Sequence, residues 1–105
     1  MIISFEKEYL RDLYETGKTE DKKYRFQPEI VRKYRRCIDI LFDASGIESL
    51  YAMSALNYEV LKGDKKGISS IRVNKQYRIE FTVSDNGVEP VATICNIIEL
   101  SNHYK

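Results

Sequence analysis

Two runs of alternating apolar and polar residues, separated by three positions, constrain this chain more than any other part of its sequence. From Ile68 to Asn74, Ile71 and Val73 fall on one face and Ser70 and Arg72 on the other; from Tyr77 to Ser84, Tyr77, Ile79, Phe81 and Val83 oppose Arg78, Glu80 and Thr82. A period of two in β-branched and aromatic residues predicts two half-buried strands. Only Asn74, Lys75 and Gln76 lie between them, so the strands form a hairpin. A three-residue loop pairs Val73 with Tyr77 and Ile71 with Ile79, whereas a two-residue loop sets Val73 against Arg78 and mixes the faces. Burial selects the three-residue register.

That register places Arg72 directly opposite Arg78 on the solvent side. Like charges facing each other across a strand pair destabilise it by roughly a few tenths of a kcal/mol at an exposed site, so an anion is expected nearby. Glu80, two residues beyond Arg78 on the same face, can supply it as an ordinary ion pair. A phosphate held by two guanidiniums is the functional alternative, because guanidinium suits planar, bidentate recognition. Spacing alone leaves both open.

Upstream, a short strand is expected from Tyr58 to Leu61, followed by Lys62-Gly63-Asp64-Lys65-Lys66-Gly67, with three lysines and two glycines in six residues. The glycines permit positive φ and a tight turn that brings lysines and backbone N–H groups toward a ligand. The spacing is not that of a GxxxxGKS/T phosphate loop. A solvated loop is the ordinary reading; beside Arg72 and Arg78 it extends a basic patch.

The remaining pattern is α then β. Met1 to Phe5 reads as a short strand. Glu6 to Thr16 places Tyr9, Leu10, Leu13 and Tyr14 at helical spacing before Gly17. After a charged connection, Pro28 suits the first turn of a second helix running to about Ala44, whose buried stripe is Ile30 or Val31, Tyr34, Cys37 or Ile38, and Leu41. Arg32, Lys33, Arg35 and Arg36 fall largely on its other side, as a solvated face, a phosphate contact or a surface for an acidic protein segment. Beyond Gly46 a short helix and a loop are expected, with Tyr51 and Met53 as packing residues. Asp85-Asn86-Gly87 marks a turn, and a last strand is expected from about Glu89 to Ile98, with Pro90 at its start. The layout is β-α-α-β-β-β-β, an α+β fold in two layers with the N-terminal strand and two main helices packed on a mainly antiparallel sheet.

Length and charge bound what this fold can do. The 105 residues suit a single domain spanning 1–105. Seventeen basic against sixteen acidic residues leave a net charge of +1, so nucleic-acid binding has to come from charge distribution. Cys37 and Cys95 lack CxxC spacing and read as buried thiols in a reducing cytoplasm. With one histidine, a zinc site is not expected, and nothing calls for a cofactor. No export signal, membrane span or lipidation motif is seen, so the expected location is cytoplasmic, with no membrane partner.

The block LKGDKKGISSIRVNKQYRI resembles the corresponding run of HigB-type toxins, in the RelE/ParE superfamily of bacterial toxin–antitoxin modules. SFEKEYLRDLYETGK is similar to their opening strand and first helix, and NHYK to their short tail. The resemblance implies the RelE-like version of the α+β fold, with the open sheet face and the tail turned to RNA. It implies an mRNA endoribonuclease, metal-independent, that cuts messenger RNA held in the ribosomal decoding site. It also implies contact with ribosomal RNA and inhibition by a HigA-like antitoxin with a helix-turn-helix domain. Arg72 and Arg78 match the motif arginines and would steady the scissile phosphate. Lys62, Lys65 and Lys66 would hold flanking RNA, and Tyr77 occupies an aromatic position that is either core or site wall. His103 and Tyr104 would be the acid–base pair. Many relatives end Asp-Tyr-His where this chain has Asn102-His103-Tyr104, which leaves the proton assignments open. Glu59 stands where some relatives carry histidine, as a base or as an orienter of arginine. A ParE-like gyrase inhibitor and a non-catalytic RNA- or protein-binding module are the alternatives on the same scaffold.

Overall fold

The computed structural model describes residues 1–102. Strand β1 (Ile2–Phe5) is followed by helices α1 (Glu8–Glu15), α2 (Pro28–Asp43) and the short α3 (Ile47–Tyr51), then by β2 (Glu59–Val60), β3 (Ser69–Arg72), β4 (Tyr77–Asp85) and β5 (Thr93–Asn102). The strands form one sheet in the order β1-β5-β4-β3-β2. Only β1 pairs in parallel, with β5; the other neighbours are antiparallel. The α+β layout expected from the sequence is therefore present, with α3 as its short third helix.

Both main helices form for reasons visible in their residues. In α1, Tyr9, Leu10 and Leu13 are buried on one stripe, and the helix stops where Gly17 adopts φ +79° and donates its N–H to the Leu13 carbonyl at 3.1 Å. In α2, Pro28 occupies the first turn, where its missing N–H costs nothing, and Ile30, Val31, Tyr34, Cys37, Ile38 and Leu41 are buried. The fully buried Tyr34 hydroxyl donates to the Leu10 carbonyl at 2.7 Å, tying α2 to α1. Arg35 donates through Nε to the Tyr14 carbonyl at 2.9 Å. That carbonyl lies in the last turn of α1, where it has no intrahelical partner and a cation meets the negative end of the helix dipole.

The helical stripes and the inner face of the sheet make one apolar cluster, to which the strands contribute Ile71, Ile79, Phe81, Cys95, Ile97 and Leu100. The buried β5 positions are spaced by two and then by three. The reason is a bulge: Glu80 pairs with Glu99 and Phe81 with Ile97, so Ile98 has no counterpart on β4. Without that extra residue Leu100 would face away from the core.

Three expectations are corrected. The last strand runs from Thr93 to Asn102 rather than from Glu89 to Ile98. Pro90 lies in the preceding loop, which Asn86 closes by donating its N–H to the Ala92 carbonyl at 3.0 Å and accepting the Ala92 N–H on its side chain at 3.0 Å. The strand expected from Tyr58 to Leu61 has only Glu59 and Val60 in the ladder. Tyr51 and Met53, expected as packing residues, lie outside the core: Tyr51, the last residue of α3, is 66% exposed and packs only edge-on against Tyr58, and Met53, beyond the helix, is 38% exposed.

Candidate nucleic-acid interface

The hairpin holds the register that burial demanded. Ile71 pairs with Ile79 and Arg72 with Arg78. The Tyr77 carbonyl accepts N–H groups from Val73 at 2.9 Å and Asn74 at 3.2 Å. Asn74 shapes the turn, its Oδ1 accepting the N–H of Gln76 at 2.8 Å and of Tyr77 at 2.7 Å. Two guanidinium-bearing residues are thus fixed face to face at the end of β3 and the start of β4.

They open onto a cavity of about 190 Å³ lined by Glu59, Ser70, Arg72, Lys75, Tyr77 and Arg78, with Asn57 and Asn74 on its rim. Arg72 is exposed, and among the described residues no side chain pairs with its guanidinium. Its backbone carbonyl sits 3.8 Å from the Cys37 thiol of α2, so the buried helix face lies beneath this end of β3. Tyr77 serves both expected roles: half-buried, it packs edge-on against Phe26 and also lines the cavity.

The anion that the arginine pair requires is present within the protein. Glu80 is only 2% exposed, and its Oε2 accepts from Arg78 Nε at 3.0 Å. Lys65 Nζ reaches the same carboxylate at 3.0 and 2.8 Å from its two oxygens. Two cations on one carboxylate leave one net positive charge there, and Arg72 adds a second. Burying the carboxylate is tolerable only because both partners satisfy it by charge-assisted hydrogen bonds.

The lysine turn takes the shape its glycines predicted. Gly63 and Gly67 have φ +69° and +87°, and Gly63–Lys65 forms a 3₁₀ turn. Lys62 and Lys66 are exposed with no partner among the described residues, and neither lines the cavity, whereas Lys65 folds back to Glu80. β5 is described as far as Asn102, which pairs with Tyr77 while Ser101 pairs with Arg78. His103 and Tyr104 lie outside the described residues.

Arg72, Arg78 and Tyr77 therefore line one cavity. Spacing had not singled out the Lys75 side chain or Asn57, whose left-handed φ of 47° is a backbone feature no periodicity reveals. Glu59, expected as a base or as an orienter of arginine, enters the cavity because β2 sets it opposite Ser70. A larger groove, about 1230 Å³, lies between α1, α2 and their connection, with Arg25, Arg32, Arg35 and Arg36 on its walls. Arg35 is engaged there with the end of α1, and Lys33 pairs with Glu29 at 3.4 Å, so much of that charged helix face has a structural explanation.

Comparison with known proteins matches residues 3–92 to the model of a family described as the RelE-like toxin of the type II toxin–antitoxin system HigB. The chain is 35% identical over 82 residues to toxin HigB-1 of Vibrio cholerae serotype O1, an alignment covering 77% of this chain and 82% of that one. Its fold is similar to a YoeB/ParE toxin from Agrobacterium tumefaciens, with a TM-score of 0.55, 21% identity and coverage of 99% of this chain and 100% of that one. It is also similar to a YoeB–YefM complex from Staphylococcus aureus, with a TM-score of 0.58, 21% identity and coverage of 99% and 98%. With the paired arginines of the β3–β4 hairpin and a match over most of its length, this chain belongs to the HigB-like family of RelE-like toxins of type II toxin–antitoxin systems.

Proposed function

We propose that the chain acts as a single toxin domain that cleaves messenger RNA in the ribosomal decoding site and so arrests translation in the cytoplasm. The observation that carries this reading is the direct apposition of Arg72 and Arg78 at one cavity, with Arg72 unpaired among the described residues. Inhibition of gyrase by protein binding does not require two guanidiniums paired at one cavity, whereas phosphodiester cleavage uses both.

Cleavage without a metal needs three events. A base takes the proton of a 2′-hydroxyl, the phosphorus gains negative charge as that oxygen attacks it, and an acid protonates the departing 5′-oxygen. Arg72, with Arg78 beside it, stabilises the charge gained at phosphorus. His103 and Tyr104 exchange the protons; His103 follows Asn102 in the chain, and Asn102 pairs with Tyr77 on the cavity wall. Glu59, an exposed carboxylate on the same cavity, is the second candidate base. Lys62 and Lys66 contact flanking mRNA or ribosomal RNA, and Lys65 has one ammonium donor left beyond its two contacts with Glu80. The ribosome presents the strand, so a cavity of this size suffices for the toxin's share. A HigA-like antitoxin with a helix-turn-helix domain holds the toxin inactive.

The test is cleavage of a defined mRNA by purified protein, with and without programmed ribosomes, followed by analysis of the new ends. The expected outcome is cutting only with ribosomes and a 5′-hydroxyl on the downstream fragment, as attack by the 2′-oxygen requires. Equal cutting of free RNA would remove the ribosomal role, and 5′-phosphate ends would remove the metal-independent mechanism.

A further inference from the structure

The cavity already described depends on a residue that does not line it. We infer that Glu80 is a positioning residue: its buried carboxylate, held between Arg78 and Lys65, fixes the orientation of the Arg78 guanidinium beside Arg72 and pins the lysine turn to the sheet. This rests on the nuclease reading for its consequence but not for its geometry.

Arg78 spends its Nε–H on Glu80 Oε2, and no other contact of its side chain appears among the described residues. Its two terminal amino groups remain to meet phosphate oxygens, on a guanidinium plane that the Nε bond has fixed. The Arg78 side chain is 16% exposed and Glu80 2%, so water does little to loosen the pair. Lys65, 43% exposed and fifteen residues earlier in the chain, supplies the second cation. It draws the 62–67 turn over the outer face of β4, because Glu80 lies opposite Ser70 of β3 and next to Arg78's row. A guanidinium on a flexible stem would instead have to be ordered anew, at an entropy cost, each time it met an anion.

Charge and position pull in opposite directions here, and that separates them. Glu80→Gln removes one negative charge, so pure electrostatics predicts tighter RNA binding and faster cleavage. Positioning predicts that kcat falls at least tenfold while KM stays the same or drops. It also predicts that Glu80→Gln costs much less once Arg78 is alanine, since much of its effect runs through that residue. A merely structural role would lower Tm and leave kcat unmoved in folded protein.

The closing experiment therefore has two arms. In the first, the Arg78 Nε–H resonance is followed by NMR: it is resolved in wild type and, in Glu80→Leu, which leaves Nε–H no acceptor at that position, collapses to the position of exposed arginines, with the rest of the spectrum native. An unchanged Arg78 resonance overturns the inference. In the second, cleavage kinetics are measured for wild type, Glu80→Gln, Arg78→Ala and the double variant; equal or greater kcat in Glu80→Gln, or additive losses, overturns it. Wild type that leaves RNA intact overturns the nuclease reading instead, and the first arm still decides the positioning. Should Glu80→Gln fail to fold, Lys65→Met replaces it at a more exposed site, read against Lys66→Met, which removes an equal charge from the same turn without touching Glu80. A several-fold larger fall in kcat for Lys65→Met supports the clamp, and equal falls overturn it.

Discussion

Arg72 is the residue on which the proposed chemistry turns, because its guanidinium is exposed at the cavity and unpaired among the described residues, whereas Arg78 is held by Glu80. If it touches the charge developing at phosphorus, Arg72→Ala costs about 2–4 kcal/mol of transition-state stabilisation, or roughly thirty- to a thousandfold in kcat, with little change in Tm. Single-turnover cleavage beside a melting curve checks both halves; an unchanged rate excludes Arg72 from the reaction. The arginine pair was legible in the sequence because alternation and loop length fix register. The second partner of Glu80 was not. Lys65 lies in an irregular turn whose direction no periodicity encodes, so only the fold could reveal that it meets a carboxylate on β4.

At the scale of elements, the hairpin turn and the helix pair carry the site. Asn74 satisfies two backbone donors at the turn, so Asn74→Ala is expected to cost about 1–2 kcal/mol of stability and to lower cleavage through a loosened register. Urea unfolding alongside the activity assay tests this; unaltered stability would mean that the strands alone hold the turn. Ile38 and Leu41 are essentially inaccessible on α2, and Leu41→Ala is expected to cost roughly 2–5 kcal/mol, read from the same unfolding curves. Helices α1 and α2 were legible from their stripes and from Pro28 and Gly17, each acting through local geometry. The last strand was misplaced by about four residues, for two reasons. An apolar run beginning before Pro90 imitates a strand, and the bulge at Ile98 breaks the period of two that would have marked the true end.

For the whole molecule, burial sets the response to pH. Desolvation pushes the Cys37 and Cys95 thiols up from 9.0 to about 11 and the Tyr9 hydroxyl up from 10.0 to about 12. Each stays protonated in the fold at a pH where the unfolded chain has already lost the proton. The stability they contribute is complete below pH 9 and drains away as pH rises toward 11, and for Tyr9 toward 12. Unfolding midpoints across pH 8 to 11 are expected to fall, and both thiols to react slowly with iodoacetamide in native protein; a flat profile would mean that these groups are open to water. The net charge of +1 gives little long-range attraction for RNA, so any RNA contact rests on the local cluster of Lys75, Arg72 and Arg78 at the cavity.

Cleavage as proposed requires Arg72 and Arg78 to meet one phosphodiester of a messenger RNA. The decisive measurement is the mapping of transcript 5′ ends after induction of wild type and Arg72→Ala in growing cells. New ends within translated regions are expected for wild type, and their loss in Arg72→Ala at equal protein level. Growth arrest by wild type with intact transcripts and altered DNA supercoiling would contradict it.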